Sequence, residues 1–122
     1  MRVLVVDDDP DLVLLISLFL RRQGGHDVVT AGDGLEALDV LAADGAVEAV
    51  VLDWSMPRLD GIGLATAVRG DERWQRLPLL MVTAMPDHGP ALEAGIDHVI
   101  RKPFDSATLL QALTAVVEAR VA

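Results

Sequence analysis

Short apolar runs alternate along the chain with stretches whose apolar residues recur at helical spacing. The runs are Arg2 to Val6, Asp27 to Ala31, Val47 to Leu52, Leu79 to Thr83 and the brief Val99-Ile100. They are rich in β-branched residues and nearly continuous in apolar character, the pattern of strands buried on both faces of a sheet. Between the first two runs, Asp9 is a good helix cap and Pro10 suits a first helical position. This helix should run to about Gln23, where Gly24-Gly25 supply a left-handed stop. A helical wheel puts Leu12, Leu15, Ile16 and Phe19 on the core side, with Leu14 and Leu18 outside beside Ser17 and Arg21. Asp33 and Glu36 resemble a capping box for a second helix to about Ala43, closed by Asp44-Gly45. Asp60-Gly61 begins a third helix to about Arg69, with Asp60 as its cap. The turn-like residues from Ala84 to Pro90 leave room for only a short fourth helix, Ala91 to Ala94. Asp105 or Ser106 caps a last helix, in which Leu109, Leu113 and Val116 recur at core spacing.

Strands alternating with helices imply an α/β fold with a parallel sheet covered on both faces. Right-handed crossovers and the flavodoxin-like order 2-1-3-4-5 make it doubly wound and set strands one and three side by side at the switch point. At 122 residues the chain, 1–122, reads as a single domain with a real core. No apolar run approaches the roughly 20 residues of a membrane span, and the opening run gives way to aspartates too soon for a signal peptide. The absence of cysteine excludes disulfides and thiolate metal sites. A formal charge of −9 argues against direct nucleic-acid binding, because phosphates would be repelled. A cytoplasmic protein without membrane attachment is expected.

The chemistry gathers at the strand ends. Asp53 closes the third run, at the C-terminal mouth where open α/β sheets hold their ligands. The strand order brings Asp7 and Asp8 beside it. Three such carboxylates repel, so either one keeps its proton or a divalent cation neutralises them. Oxygen ligands point to a hard ion, and Mg²⁺, with Mn²⁺ as a substitute, suits an open cluster that leaves room for water and phosphate. The fourth strand delivers the Thr83 hydroxyl to the same rim, and the fifth delivers the Lys102 ammonium. A nucleophilic carboxylate, a metal site, a hydroxyl donor and a mobile cation are the parts needed for phosphoryl transfer to Asp53.

Asp7-Asp8, Asp53 within Leu-Asp-Trp-Ser-Met-Pro, Asp60-Gly61, Thr83-Ala84 and Lys102-Pro103-Phe104 together resemble the receiver domain of bacterial two-component response regulators. The match spans essentially the whole chain, and Trp54 with Leu79 to Ala84 leans toward the chemotaxis-regulator type. The resemblance implies that Asp53 is the phosphoacceptor, taking a phosphoryl group from a phosphohistidine on a sensor histidine kinase or histidine phosphotransfer protein. It implies that Asp8 and Asp53 ligate Mg²⁺, with Asp7 acting mainly through water and Ser55 offering its backbone carbonyl. Thr83 and Lys102 would hold phosphoryl oxygens, small Ala84 would leave them room, and Lys102-Pro103 would be a cis peptide. Such a protein catalyses only its own phosphorylation and dephosphorylation, and is a switch for a downstream protein rather than an enzyme. With the last helix ending at the chain end, a single-domain regulator or an excised receiver is expected.

Three features depart from that family. Val99 stands where an aromatic residue often lies, the segment from Thr83 to Lys102 is short, and Ser55 replaces a frequent Asn. A shortened or remodelled fourth helix follows, and with it an alternative function, a receiver-like interaction module that does not switch. Leu14 and Leu18, one turn apart, are candidates for kinase docking. Asp7-Asp8-Asp9-Pro10 excludes a flavin-phosphate loop, since its charge would repel the ligand. Ser55 stands where an aspartate-nucleophile phosphatase would place its second acid.

Overall fold

The computed structural model describes residues 1–121. Strands β1 (Arg2–Val6), β2 (Asp27–Ala31), β3 (Ala49–Asp53), β4 (Leu79–Thr83) and β5 (His98–Arg101) pair in parallel in the order β2-β1-β3-β4-β5. This is the flavodoxin-like order that the alternation predicts. Helices α1 (Pro10–Leu18), α2 (Gly34–Ala43), α3 (Gly61–Arg69), α4 (Gly89–Glu93) and α5 (Ser106–Val121) cover both faces. Among the described residues, no helix is long and apolar enough to cross a membrane.

Alternate strand residues feed two cores, as the two-residue period of a strand requires. Leu4, Val6, Val50, Leu52, Leu79 and Met81 pack with Ala37, Leu41, Leu64, Val68 and Ala91 of α2, α3 and α4. Val3, Val5, Val51, Leu80 and Val82 pack with Ile16, Leu20, Leu109 and Leu113 on the α1 and α5 side. Each fully buried leucine contributes about 2 kcal/mol by leaving water, so both faces are firmly held. The caps stand where the sequence puts them. Asp9 accepts from the Asp11 and Leu12 amides, Asp60 from Gly63, and Asp105 from Thr108.

The first helix differs from expectation in phase. It continues past Leu18 into a π-helical turn, Phe19–Gln23. Leu15 is exposed, whereas Leu20 and Ser17 are buried. Leu12 and Phe19 pack only partly against the core, which is centred instead on Ile16 and Leu20. Ser17 is thus an inward residue, and its hydroxyl has no hydrogen-bond partner among the described residues. The fourth helix is short, five residues, and begins two residues earlier than Ala91 because Pro90 fits its first turn.

Candidate functional site

Strand register assembles the site. Val6 pairs with Leu52, so Asp7 and Asp53 emerge side by side at the C-terminal edge of the sheet. Asp53 pairs with Val82, and Thr83 follows; Thr83 pairs with Arg101, and Lys102 follows. The Lys102 amide donates to the Thr83 carbonyl at 2.9 Å, fixing the chain where the lysine departs. The Lys102–Pro103 peptide is cis.

One carboxylate oxygen from each of Asp7, Asp8 and Asp53 lies within 4.8 Å of the others. Lys102 Nζ stands 3.4 Å from Asp53 Oδ1 and 3.9 Å from Asp7 Oδ2. Asp7 is almost wholly buried, Asp53 is partly exposed and Asp8 faces solvent. Burial pushes the Asp7 carboxyl up to about 6. The Asp53 and Asp8 charges push the same way, against the Asp9 amide bonded to Asp7 Oδ1 and the Lys102 charge. Burial first, and the neighbouring charges after it, thus disfavour ionising all three acids together. The donor set is all oxygen and open to water on the Asp8 side, which fits a hard divalent ion.

The remaining candidates fall around this cluster. Thr83 is buried, and its Oγ1 accepts from the Met85 amide at 3.1 Å, a bond that uses a lone pair and leaves the proton available to donate. Ala84 is exposed beside it, and Ser55 is exposed in the loop after β3. Asp53 Oδ1 accepts from the Trp54 amide at 2.8 Å, so that loop also orients the carboxylate. Gly61 packs against the Asp53 carbonyl and the Trp54 backbone, where a Cβ would collide. Leu14 is 57% exposed on α1 and Leu18 is half-buried, both outside the cluster. A cavity of about 660 Å³ opens among Val47, Trp74, Leu77 and Val117 but contains none of these groups.

One contact beside the cluster has no counterpart in the sequence reading. Arg58 Nε donates to Asp33 Oδ2 at 2.7 Å, tying the loop after β3 to the start of α2. Asp33 is legible as a cap and accepts from the Glu36 amide at 2.9 Å. Its second partner lies 25 residues away, beyond any local pattern.

This geometry agrees with the comparisons to known proteins. The profile of the response regulator receiver domain matches residues 3–114. The chain therefore belongs to the response regulator receiver domain family, and its relatives include chemotaxis members. It is 35% identical to chemotaxis protein CheY1 of Helicobacter pylori over 96% of this chain and 97% of that protein. It is 38% identical to chemotaxis protein CheY-3 of Vibrio cholerae over 97% of this chain and 92% of that one. A solved structure of chemotaxis response regulator CheY4 of Vibrio cholerae superposes with TM-score 0.86 at 31% identity, over 94% of this chain and 97% of that one. The receiver domain of a Pseudomonas aeruginosa sensor histidine kinase also superposes with TM-score 0.86, at 28% identity over 96% and 97% of the two chains. That structure has a magnesium ion coordinated in its active-site cleft.

Proposed function

We propose that Asp53 accepts a phosphoryl group from a phosphohistidine, on a sensor histidine kinase or histidine phosphotransfer protein, in a cytoplasmic two-component pathway. The observation that carries this reading is the convergence of Asp53 with two further carboxylates and Lys102 Nζ at one open sheet edge. In the transfer, an Asp53 carboxylate oxygen forms the new bond to phosphorus while the phosphorus–nitrogen bond breaks. The departing imidazole keeps the bonding electron pair and takes up a proton. Lys102, now paired with Asp53, is placed to follow the negative charge onto the phosphoryl oxygens, and the Thr83 proton can donate to one of them. Asp8, Asp53 and the Ser55 carbonyl would hold Mg²⁺ (or Mn²⁺), with Asp7 beside them. When bound, the metal neutralises the acids and withdraws charge from the phosphoryl group.

The product carries more negative charge than the carboxylate it replaces, which biases the loop from Ala84 to His88 and α4 behind it. The downstream partner would read that face. Leu14, with Leu15 exposed beside it and Leu18 one turn on, is the proposed kinase-docking patch. Acetyl phosphate with Mg²⁺ should add one phosphoryl mass to the chain, and Asp53→Asn or chelator should abolish it. Unchanged mass in the native chain would defeat the reading. The five-residue α4 and Val99 favour a second reading, an interaction module that is phosphorylated without switching. Beryllofluoride separates the two: a switch shifts amide resonances across 84–100, and a silent module leaves them in place.

A further inference from the structure

We propose that Arg58 is a positioning residue for the acid cleft: paired with Asp33, it holds the loop from Trp54 to Asp60 in the shape that metal binding beside Asp53 requires. The inference rests on the Mg²⁺-dependent phosphoacceptor reading.

The loop is bent against its own preference. Arg58 has φ +64°, in the left-handed region that side-chain-bearing residues seldom occupy. The Leu59 amide donates to the Pro57 carbonyl at 2.7 Å, so Arg58 is the centre of a three-residue turn with positive φ, the strained form of such turns. Such a turn persists only where its surroundings over-determine it. Here two contacts from outside do so. The Gly34 amide donates to the Leu59 carbonyl at 3.0 Å, and Arg58 Nε donates to Asp33 Oδ2 at 2.7 Å. Gly34 lies so close that an added Cβ would meet the Leu59 carbonyl oxygen at 2.5 Å. Asp33 is itself only 7% exposed and is fixed by the Glu36 amide, so it offers Arg58 a rigid anchor.

The other end of the loop is the site. The Trp54 amide donates to Asp53 Oδ1, and the Trp54 carbonyl accepts from Gly61 at 2.8 Å. Ser55, next in the chain, supplies the carbonyl proposed as a metal ligand. Releasing the turn at Arg58 would let residues 54–57 drift relative to Asp53, loosening both an orienting bond and a ligand. The Arg58 side chain is 59% exposed, and exposed pairs contribute little to global stability. Its effect should therefore appear in metal binding rather than in melting.

The test is Mg²⁺ titration of the full chain, followed by the fluorescence of Trp54 beside Asp53, with melting temperature measured in parallel. Arg58→Gly removes the guanidinium and the left-handed penalty together, so the fold is retained. Asp33→Ser keeps a helix cap but removes the anchor charge. Each should weaken Mg²⁺ binding about tenfold, the low end of what outer partners cause. The double variant should lose no more than either single one, and Arg58→Lys should recover part of the affinity. Arg58→Gly binding Mg²⁺ within roughly twofold of the native chain, or losses that simply add, would overturn the role of Arg58. A native chain that takes up neither Mg²⁺ nor a phosphoryl group would instead overturn the underlying reading. The two failures are thereby distinct.

Discussion

Replacing Asp7 by Asn should stabilise the metal-free protein, and by an amount that depends on pH. Asp7 is only 4% exposed, and burial holds its carboxyl at about 6 rather than the ordinary 3.8. Between those values the folded chain binds more protons than the unfolded one, so stability falls as pH rises through the window and levels off above it. At about 1.4 kcal/mol per pH unit, the full loss is on the order of 3 kcal/mol. Roughly half of it should fall between pH 5 and pH 7.5. Asn carries no charge at any of these values and can still accept the Asp9 amide, which now bonds Asp7 Oδ1 at 2.9 Å. The gain of Asp7→Asn should thus be near zero below pH 4 and reach about 3 kcal/mol above pH 7. Urea unfolding of both chains in chelator at pH 5 and pH 7.5 measures it. Excess Mg²⁺ at pH 7.5 should raise the native chain more than the variant, closing the gap. A difference that ignores pH, or a variant that grows less stable as pH rises, would refute the burial argument.

Ser17→Ala should stabilise the chain by about 1 kcal/mol in urea unfolding, because it removes a buried hydroxyl with no partner among the described residues. A loss of stability would mean that the hydroxyl is bonded. Asp97→Ala should cost about 3 kcal/mol, since Asp97 pairs with Arg69 and Arg120 and also accepts the Leu79 amide. A loss under about 1 kcal/mol would place the pair among weak surface bridges. Leu14→Glu should slow phosphotransfer from a cognate kinase about tenfold, as for a central contact worth about 1.4 kcal/mol, and leave acetyl phosphate labelling unchanged. Equal effects on both donors would remove α1 from docking.

The candidate site was legible because Asp53 and Thr83 close buried strands and Asp7 follows one, and buried parallel strands announce their ends. The run Val50-Val51-Leu52 stops on Asp53, and Leu79 to Val82 stops on Thr83. The order of strands then put Asp7 beside Asp53 without reference to any side-chain contact. The phase of α1 was not legible. From Leu12 to Leu20 only Ser17 is polar, so the periodicity offered one marker for the outer face, and that marker is buried. The π-helical turn after Leu18 adds a backbone irregularity that side-chain spacing cannot announce. Arg58 was hidden for another reason. Its left-handed backbone is set by Asp33 and Gly34, contacts that exist only once β3 and α2 are packed.

The proposed phosphoacceptor is a single side chain, that of Asp53. Incubating the chain with acetyl phosphate and Mg²⁺, reducing the acyl phosphate with borohydride and mapping the altered residue by mass spectrometry tests it most directly. One modified residue per chain, Asp53, is expected, and none when Mg²⁺ is chelated. Modification at Asp7 or Asp8 instead, or none at any aspartate, would contradict it.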